Sequence, residues 1–536
     1  MRDRVTGGAA VVDSLEAHGV RHVFGIPGTH SLELYRSLPG SGIRHIVTRH
    51  EQGAGYAADS YARVSGRPGV VFTTSGPGIT NAVTALATAY ADSVPVLAVS
   101  PGVPRGMVGA DVGWLHEVKN QQAALDAVTA RSIRVESADD IPDALADVFH
   151  GFASRRPRPV HLEVPVDVLE GPWCASPCPV REPTRPAAHP PSAGEPHVAA
   201  VVDALVASSR PALWLGGGAR GAAASVAALA DLGIPVVTTV AGKGILDETH
   251  GSSLGAAARL AGAHRLVNDA DLLIVVGSEV GDSDTWGGTL APGRAGERTV
   301  VRIDLDPAQL AKNLVADLTV QGDAAEVLAE VARAAGTARP DGWDRDRGKQ
   351  ARVTLDAEAA ELGAPWEPIQ RVLSEALPPE TVVAGDSSQV TYLGTVHTWP
   401  MGPRGRLVYP TGYATLGYGL PAAIGAKVAQ PERPVVALFG DGAAMFSIQE
   451  LMTAVEQRLP IPVVVVDNGG YAEIREQMVD RDITPQAVDL VGPDFPALAR
   501  AMGAAGVAAP SVESLADLVP AALVADRPTL VHLRHG

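Results

Sequence analysis

Two runs, RPVVALFGDG (433–442) and IPVVVVDNGG (461–470), each hold an unbroken apolar stretch that stops at a polar residue beside glycine. Stretches of this kind suit strands covered on both faces, which is the situation in parallel sheets packed between helices. Between them, FSIQELMTAVEQRL puts Phe446, Leu451, Ala454, Val455 and Leu459 on one helical face. A strand of about 6 residues rises ~20 Å and a helix of about 12 returns ~18 Å, so the second strand starts beside the first and points the same way. Asp441 and Asn468 then emerge together at the carboxyl end of the sheet, where open α/β folds bind ligands. Oxygen donors there suit a hard cation such as Mg2+ holding a diphosphate. Gly440 and Gly442 allow backbone N–H groups to approach a phosphate. The Gly470 carbonyl offers a third metal ligand, and Tyr471 opens the next helix. Either motif alone reads equally well as an ordinary turn.

The same rhythm of short strands and helices fills the chain, which at 536 residues is long enough for three or four domains. Proline-rich residues 170–196 and charged residues 335–352 read as linkers. The expected fold is three doubly wound α/β domains with mainly parallel sheets, over 1–170, 190–335 and 352–536. RPGVVFTTSGPG followed by SVPVLAVS parallels RPVVALFGDG followed by PIPVVVVDN, so one fold used twice, with the two copies face to face, is a reading beside that of two generic βαβ units. A net charge of -17 argues against nucleic acid or an anionic membrane as partner. No apolar run reaches the ~20 residues that cross a bilayer, and a cytoplasmic protein is expected. Cys174 and Cys178 lack companions for a zinc site.

GDG followed by an Asn-containing turn after the next strand resembles the thiamine diphosphate signature. With HEQGAGYAADSYARVSG, TTSGPGITN and TGYATLGYGLPAAIGAK, the chain is similar over all three blocks to the acetolactate synthase and benzoylformate decarboxylase group. The resemblance implies a pyrimidine-binding, a middle and a diphosphate-binding domain, thiamine diphosphate with Mg2+ as cofactors, and a homodimer as minimal active unit, often paired into a homotetramer. It implies Asp441, Asn468 and the Gly470 carbonyl as metal ligands. Gly440, Gly442 and Tyr471 would line the diphosphate, Leu416 would prop the cofactor, and the Ala414 carbonyl would accept from its amine. Glu51 would exchange a proton with the pyrimidine ring, a role favoured by burial. As a lone residue, Glu51 reads equally as a helix N-terminal acid. Asp467 stands where the signature has a first Asn, leaving Asn468 in place. Ser387 and Ser388 in GDSSQ are diphosphate or substrate contacts, or loop residues.

Such enzymes act on 2-oxo acids, and either an aldehyde or a carbon–carbon bond can follow loss of CO2. Glu473 lies where a carboxylate would suit a guanidinium tail, or else faces solvent. Glu279, Asp282 and Asp284 are read as bordering the same cavity, or as a solvated loop. His30 and His116 could relay a proton. With WLHEVKNQ and GTHSLELYRSL, these segments look most like the subgroup that decarboxylates the oxo acid of arginine. A carboligase is the alternative, and a non-catalytic binding protein that retains the fold is a further one. GGGAR at 216–220 is weak as a nucleotide motif, and no functional FAD is expected.

Overall fold

The computed structural model describes residues 5–173, 195–338, 343, 344 and 346–535. Cys174, Cys178 and most of the proline-rich stretch lie outside the described residues. Three sheets carry the chain, and every pairing between their strands is parallel. The first sheet contains β1 (His22–Gly25), β2 (Arg44–Val47), β3 (Gly69–Phe72), β4 (Val96–Gly102), β5 (Arg131–Arg134) and β6 (Val160–Pro165), in the order β2-β1-β3-β4-β6-β5. The second contains β7 (Pro211–Leu215), β8 (Val236–Thr238), β9 (Leu272–Val276), β10 (Thr299–Asp304) and β11 (Leu318–Gln321), in the order β11-β10-β9-β7-β8. The third contains β12 (Val382–Gly385), β13 (Arg406–Val408), β14 (Val435–Gly440), β15 (Pro462–Asp467), β16 (Ala505–Ala509) and β17 (Thr529–Arg534), in the order β13-β12-β14-β15-β17-β16. Renumbered from its own first strand, the third sheet has the same order as the first, so one fold is used twice.

Residues of the two outer domains share one apolar core. Its centre is the crossing of α1 (Glu51–Ser65) and α2 (Gly419–Ala429). Small residues make the crossing close: a methyl group on Gly425 would sit 2.0 Å from the Ala57 carbonyl oxygen. Polar groups reinforce it, with the buried Arg63 guanidinium 2.7 Å from Asp59 and 2.8 Å from Asp92, and Tyr418 donating to Asp59 at 2.6 Å. Such charges are tolerated in the interior because each is paired.

One sequence expectation is corrected. Phe446 is 46% exposed and not on a core-facing helix. The short helix Asp441–Ala444 ends before Phe446, and the helical stretch that buries Leu451 and Ala454 begins only at Ile448. Among the described residues, helices Ala324–Ala338 and Arg347–Gly363 reach into the charged stretch at 335–352. Residue 352, the expected start of the third domain, falls inside the latter helix, which leans on the middle domain through Glu358 and its bonds to Gly262 N and Arg265.

Candidate active site

β14 and β15 are adjacent, and their C-terminal ends bring Asp441 and Asn468 together as a parallel register requires. The Asn468 backbone N–H donates to Asp441 Oδ1 at 3.3 Å. The Asn468 side-chain oxygen lies 3.1 Å from Asp441 Oδ1 and 3.3 Å from the Gly470 carbonyl oxygen. Three oxygens facing one another is unfavourable unless the amide is reversed or a cation sits between them. A carboxylate, a side-chain amide oxygen and a backbone carbonyl are hard oxygen donors of the kind Mg2+ takes, so the chemistry of the donor set fits that ion. Among the described residues no group of three His, Cys, Asp or Glu side chains could hold a metal, which leaves this mixed set as the candidate. Gly470 makes the turn possible: its φ is 131° and a Cβ there would lie 2.2 Å from the Val488 carbonyl oxygen. Burial pushes the Asp441 carboxyl up, and neighbouring Asp467 adds to this. A bound cation would reverse that effect. Asp467 itself is engaged elsewhere, 2.9 Å from His532 Nε2 and accepting Gly469 N–H at 3.1 Å, so the departure from a double Asn leaves the three-oxygen set intact.

Asp386, at the end of β12, organises the neighbouring loops. Its carboxylate accepts the backbone N–H groups of Ser387 at 2.8 Å, Gly417 at 3.2 Å and Gly419 at 2.7 Å. It thereby ties GDSSQ to the segment that carries Ala414 and Leu416. Burial raises its pKa to about 6 despite these bonds. Ser388 Oγ accepts from Gly440 N at 3.0 Å, bracing the GDG turn from below. Ala414 has φ 50°, a conformation a non-glycine residue adopts at a cost, and Leu416 packs half-buried against the shared core. Tyr471 caps the helix α3 (Ala472–Asp480), with its N–H on the Val488 carbonyl at 2.8 Å and its ring against Gly442.

Glu51 is the first residue of α1 and 8% exposed. Asn81 Nδ2 donates to its Oε2 at 2.9 Å. The turn before it is held from the third domain: buried Glu450 accepts the N–H of His50 at 2.9 Å and of Arg49 at 3.1 Å, and Thr453 Oγ1 donates to it at 2.7 Å. Asn81 and Glu450 escaped the sequence reading. Glu450 left a signal, a lone acid among Ile448, Leu451 and Ala454; Asn81 left none, because its pairing with Glu51 is purely tertiary. Asp386 is legible in the sequence as the acid of GDSSQ, next to the two serines.

His30 and His116 come together although 86 positions apart, with ring centres 5.0 Å apart and Trp114 stacked on His30 at 4.5 Å. Glu473 does not simply face solvent. It accepts from Tyr392 Oη at 2.5 Å and Gln389 Nε2 at 3.1 Å, both from the stretch that enters a π-helical turn at Val390–Thr395. Burial and the Glu473 carboxylate push Tyr392 far up, so its hydroxyl stays a donor. Glu279 and Asp284, in contrast, border a different cavity. They line a space of about 750 Å³ together with Gly216–Gly218 and Arg220 of the middle domain and Arg63 and Arg156 of the first. Glu279 is paired there with Arg156 at 2.6 Å and with Lys312, while Asp284 lies half-buried near Arg259. Neither reaches Glu473, because the loop after β9 opens onto the interdomain junction. Asp282, in the same loop, heads the short helix Asp282–Thr285.

Three family models match the chain: the N-terminal TPP binding domain of thiamine pyrophosphate enzymes at residues 5–125, the central domain at 198–331, and the C-terminal TPP binding domain at 386–533. A probable 2-ketoarginine decarboxylase, AruI, of Pseudomonas aeruginosa is 40% identical across 99% of this chain and 94% of its own. The acetolactate synthase large subunit of Parasynechococcus marenigrum is 36% identical across 99% and 88%, and the acetolactate synthase of Arthrospira platensis 35% across 88% and 84%. Among the described residues, no helix is long and apolar enough to cross a membrane.

Proposed function

We propose that this chain, which belongs to the thiamine pyrophosphate enzyme family, is a Mg2+-assisted non-oxidative decarboxylase that converts a 2-oxo acid with a guanidino tail to the aldehyde. Bound thiamine diphosphate supplies the electron sink for the departing carboxylate. Asp441, Asn468 and the Gly470 carbonyl hold the cation, and the turn braced by Ser388 receives the diphosphate. Leu416 and Ala414, tied back by Asp386, shape the cofactor seat. Glu51, fixed by Asn81 and by the Glu450 clamp on the preceding turn, holds the exchangeable proton at its carboxyl. Loss of CO2 leaves the product one proton short, and His30 and His116 furnish it. FAD is left out of this reading, because GGGAR at 216–220 is weak as a nucleotide motif and the extended flavin-contacting pattern of acetolactate synthases is not recognised in the sequence.

The observation that carries the substrate reading is Glu473. Tyr392 and Gln389 hold its carboxylate on the first turn of α3, directly after the cofactor turn, where it suits a cationic tail. The likeness to a relative named for 2-ketoarginine supports the same choice. A homodimer, and a dimer of dimers as homotetramer, would cover apolar residues exposed beside the site: Leu32, Val112 and Leu115 on the first domain, and Tyr413, Met445 and Phe446 on the third.

The test is a panel of 2-oxo acids with added cofactors, with and without an aldehyde acceptor, read by CO2 release and mass spectrometry of products. Aldehyde alone is expected; efficient carbon–carbon coupling at low acceptor concentration would favour a carboligase, the activity that acetolactate synthase relatives carry in their names. Glu473→Gln should lower kcat/KM for the guanidino acid by roughly 10- to 100-fold, the worth of a charge-assisted hydrogen bond, and spare apolar acids. Equal losses on both classes would remove Glu473 from recognition.

A further inference from the structure

Between the two imidazoles stands a hydroxyl group. Ser75 Oγ lies 2.6 Å from His30 Nδ1 and 3.4 Å from His116 Nδ1, and Ser75 is 1% exposed. Its place is clamped from behind: the N–H of Gly76 donates to Gln121 Oε1 at 2.8 Å, and Gln121 Nε2 donates to Ser100 Oγ at 3.2 Å and to the Pro101 carbonyl at 2.9 Å. A serine hydroxyl has one proton and can accept others, so it can donate to one imidazole while accepting from its neighbour. His30 is 9% exposed and sandwiched against Trp114, whereas His116 is half-buried on a segment whose neighbours Val112 and Leu115 are exposed.

We infer that Ser75 is a positioning and relay residue that carries a proton from His116 to His30 during product formation. The inference rests on the decarboxylase reading, in which each turnover consumes one proton. In the relay the His116 Nδ1–H bond breaks as an O–H bond forms on Ser75, and the proton Ser75 held passes to His30 Nδ1. His30 then gives up its Nε2 proton to the product carbon and is left as the Nδ1–H tautomer; the wire resets after the aldehyde leaves, when water returns a proton to Nε2 and the Nδ1 proton passes back through Ser75 to His116. No oxidant or reductant is involved. Ser75, Trp114 and His116 face His30, and burial together with His116 lowers the pKa of His30, which disfavours a resting imidazolium there. The rings meet edge to face at 69° with centres 5.0 Å apart, and the hydrogen bonds that join their Nδ1 atoms run through Ser75 Oγ.

The relay acts after carbon dioxide has left, and this separates it from a structural role. In single turnovers of the holoenzyme with the guanidino oxo acid, Ser75→Ala should release CO2 within about 3-fold of the wild-type rate while aldehyde appears about 100-fold more slowly, the scale of lost acid–base assistance. A solvent-isotope proton inventory on the aldehyde step should fall from several protons to one. Cofactor affinity by calorimetry should be unchanged. If Ala fails to retain the cofactor, Ser75→Cys, similar in size and a weaker hydrogen-bonding group, is judged by the same ratio of CO2 to aldehyde. Equal slowing of both products, or no slowing of either, overturns the relay alone. Absence of CO2 from the wild-type enzyme with every acid of the panel overturns the decarboxylase reading and the relay with it.

Discussion

Replacing Asp386 by Asn removes a charge that the fold buries at a cost and uses to hold its cofactor loops. The carboxyl is 1% exposed, and its pKa rises from 3.8 to about 6. The folded chain therefore binds this proton more tightly than the unfolded chain. Stability contributed by the group is complete below about pH 4 and declines as pH rises to about 6, where the folded carboxyl ionises. A shift of about two units, at about 1.4 kcal/mol each, makes the decline on the order of 3 kcal/mol. Asn has the same shape and no ionisation, so its stability relative to wild type should improve by that amount between pH 4 and pH 7. Any constant cost, such as the Gly419 N–H meeting the new amide donor, cancels in the comparison. At 2–4 °C per kcal/mol for a domain of 150–250 residues, the difference in melting temperature should change by roughly 6–12 °C. The assay is calorimetric scanning of the cofactor-free proteins at half-unit steps of pH. Thiamine diphosphate affinity at pH 7 should move the opposite way and weaken, because the N–H groups of Ser387, Gly417 and Gly419 lose the anion that gathers them. Parallel melting curves across that pH range would refute the idea that a buried, ionising Asp386 braces the site.

Glu51→Gln should cut turnover by ~100-fold or more, the value of one acid–base group, while calorimetry shows cofactor binding partly retained; an unchanged rate would remove Glu51 from the mechanism. Asp441→Ala should weaken Mg2+ and diphosphate retention, and an undiminished cofactor affinity would count against the three-oxygen site. The purified protein should be colourless at stoichiometric thiamine diphosphate, and a yellow chromophore at one per chain would overturn the reading that excludes FAD.

Much of this architecture is local in origin and could be read before any coordinates. Apolar runs such as Val463–Val466 dictate strands buried on both faces, the return helix dictates that β14 and β15 run parallel, and parallel neighbours must deliver Asp441 and Asn468 to the same edge. Residue order alone therefore determined the parallel strand–helix–strand units and the meeting of Asp441 with Asn468, since both follow from periodicity and spacing within about 40 residues, whereas the matching strand orders of the first and third sheets decided that one fold is used twice. Contacts between distant segments decided the rest. Glu450 clamping the turn before Glu51, Asn81 meeting its carboxylate, Ser75 between two imidazoles and Glu473 turned toward Tyr392 all depend on how helices and loops from separate parts of the chain pack. The acidic loop Glu279–Asp284 shows the same limit from the other side: its composition suited a substrate cavity, but the direction in which β9 ends sends it to the interdomain junction. A strand's pattern reports its own burial, whereas the partner a side chain meets depends on the relative placement of whole elements, and no short stretch of sequence encodes that.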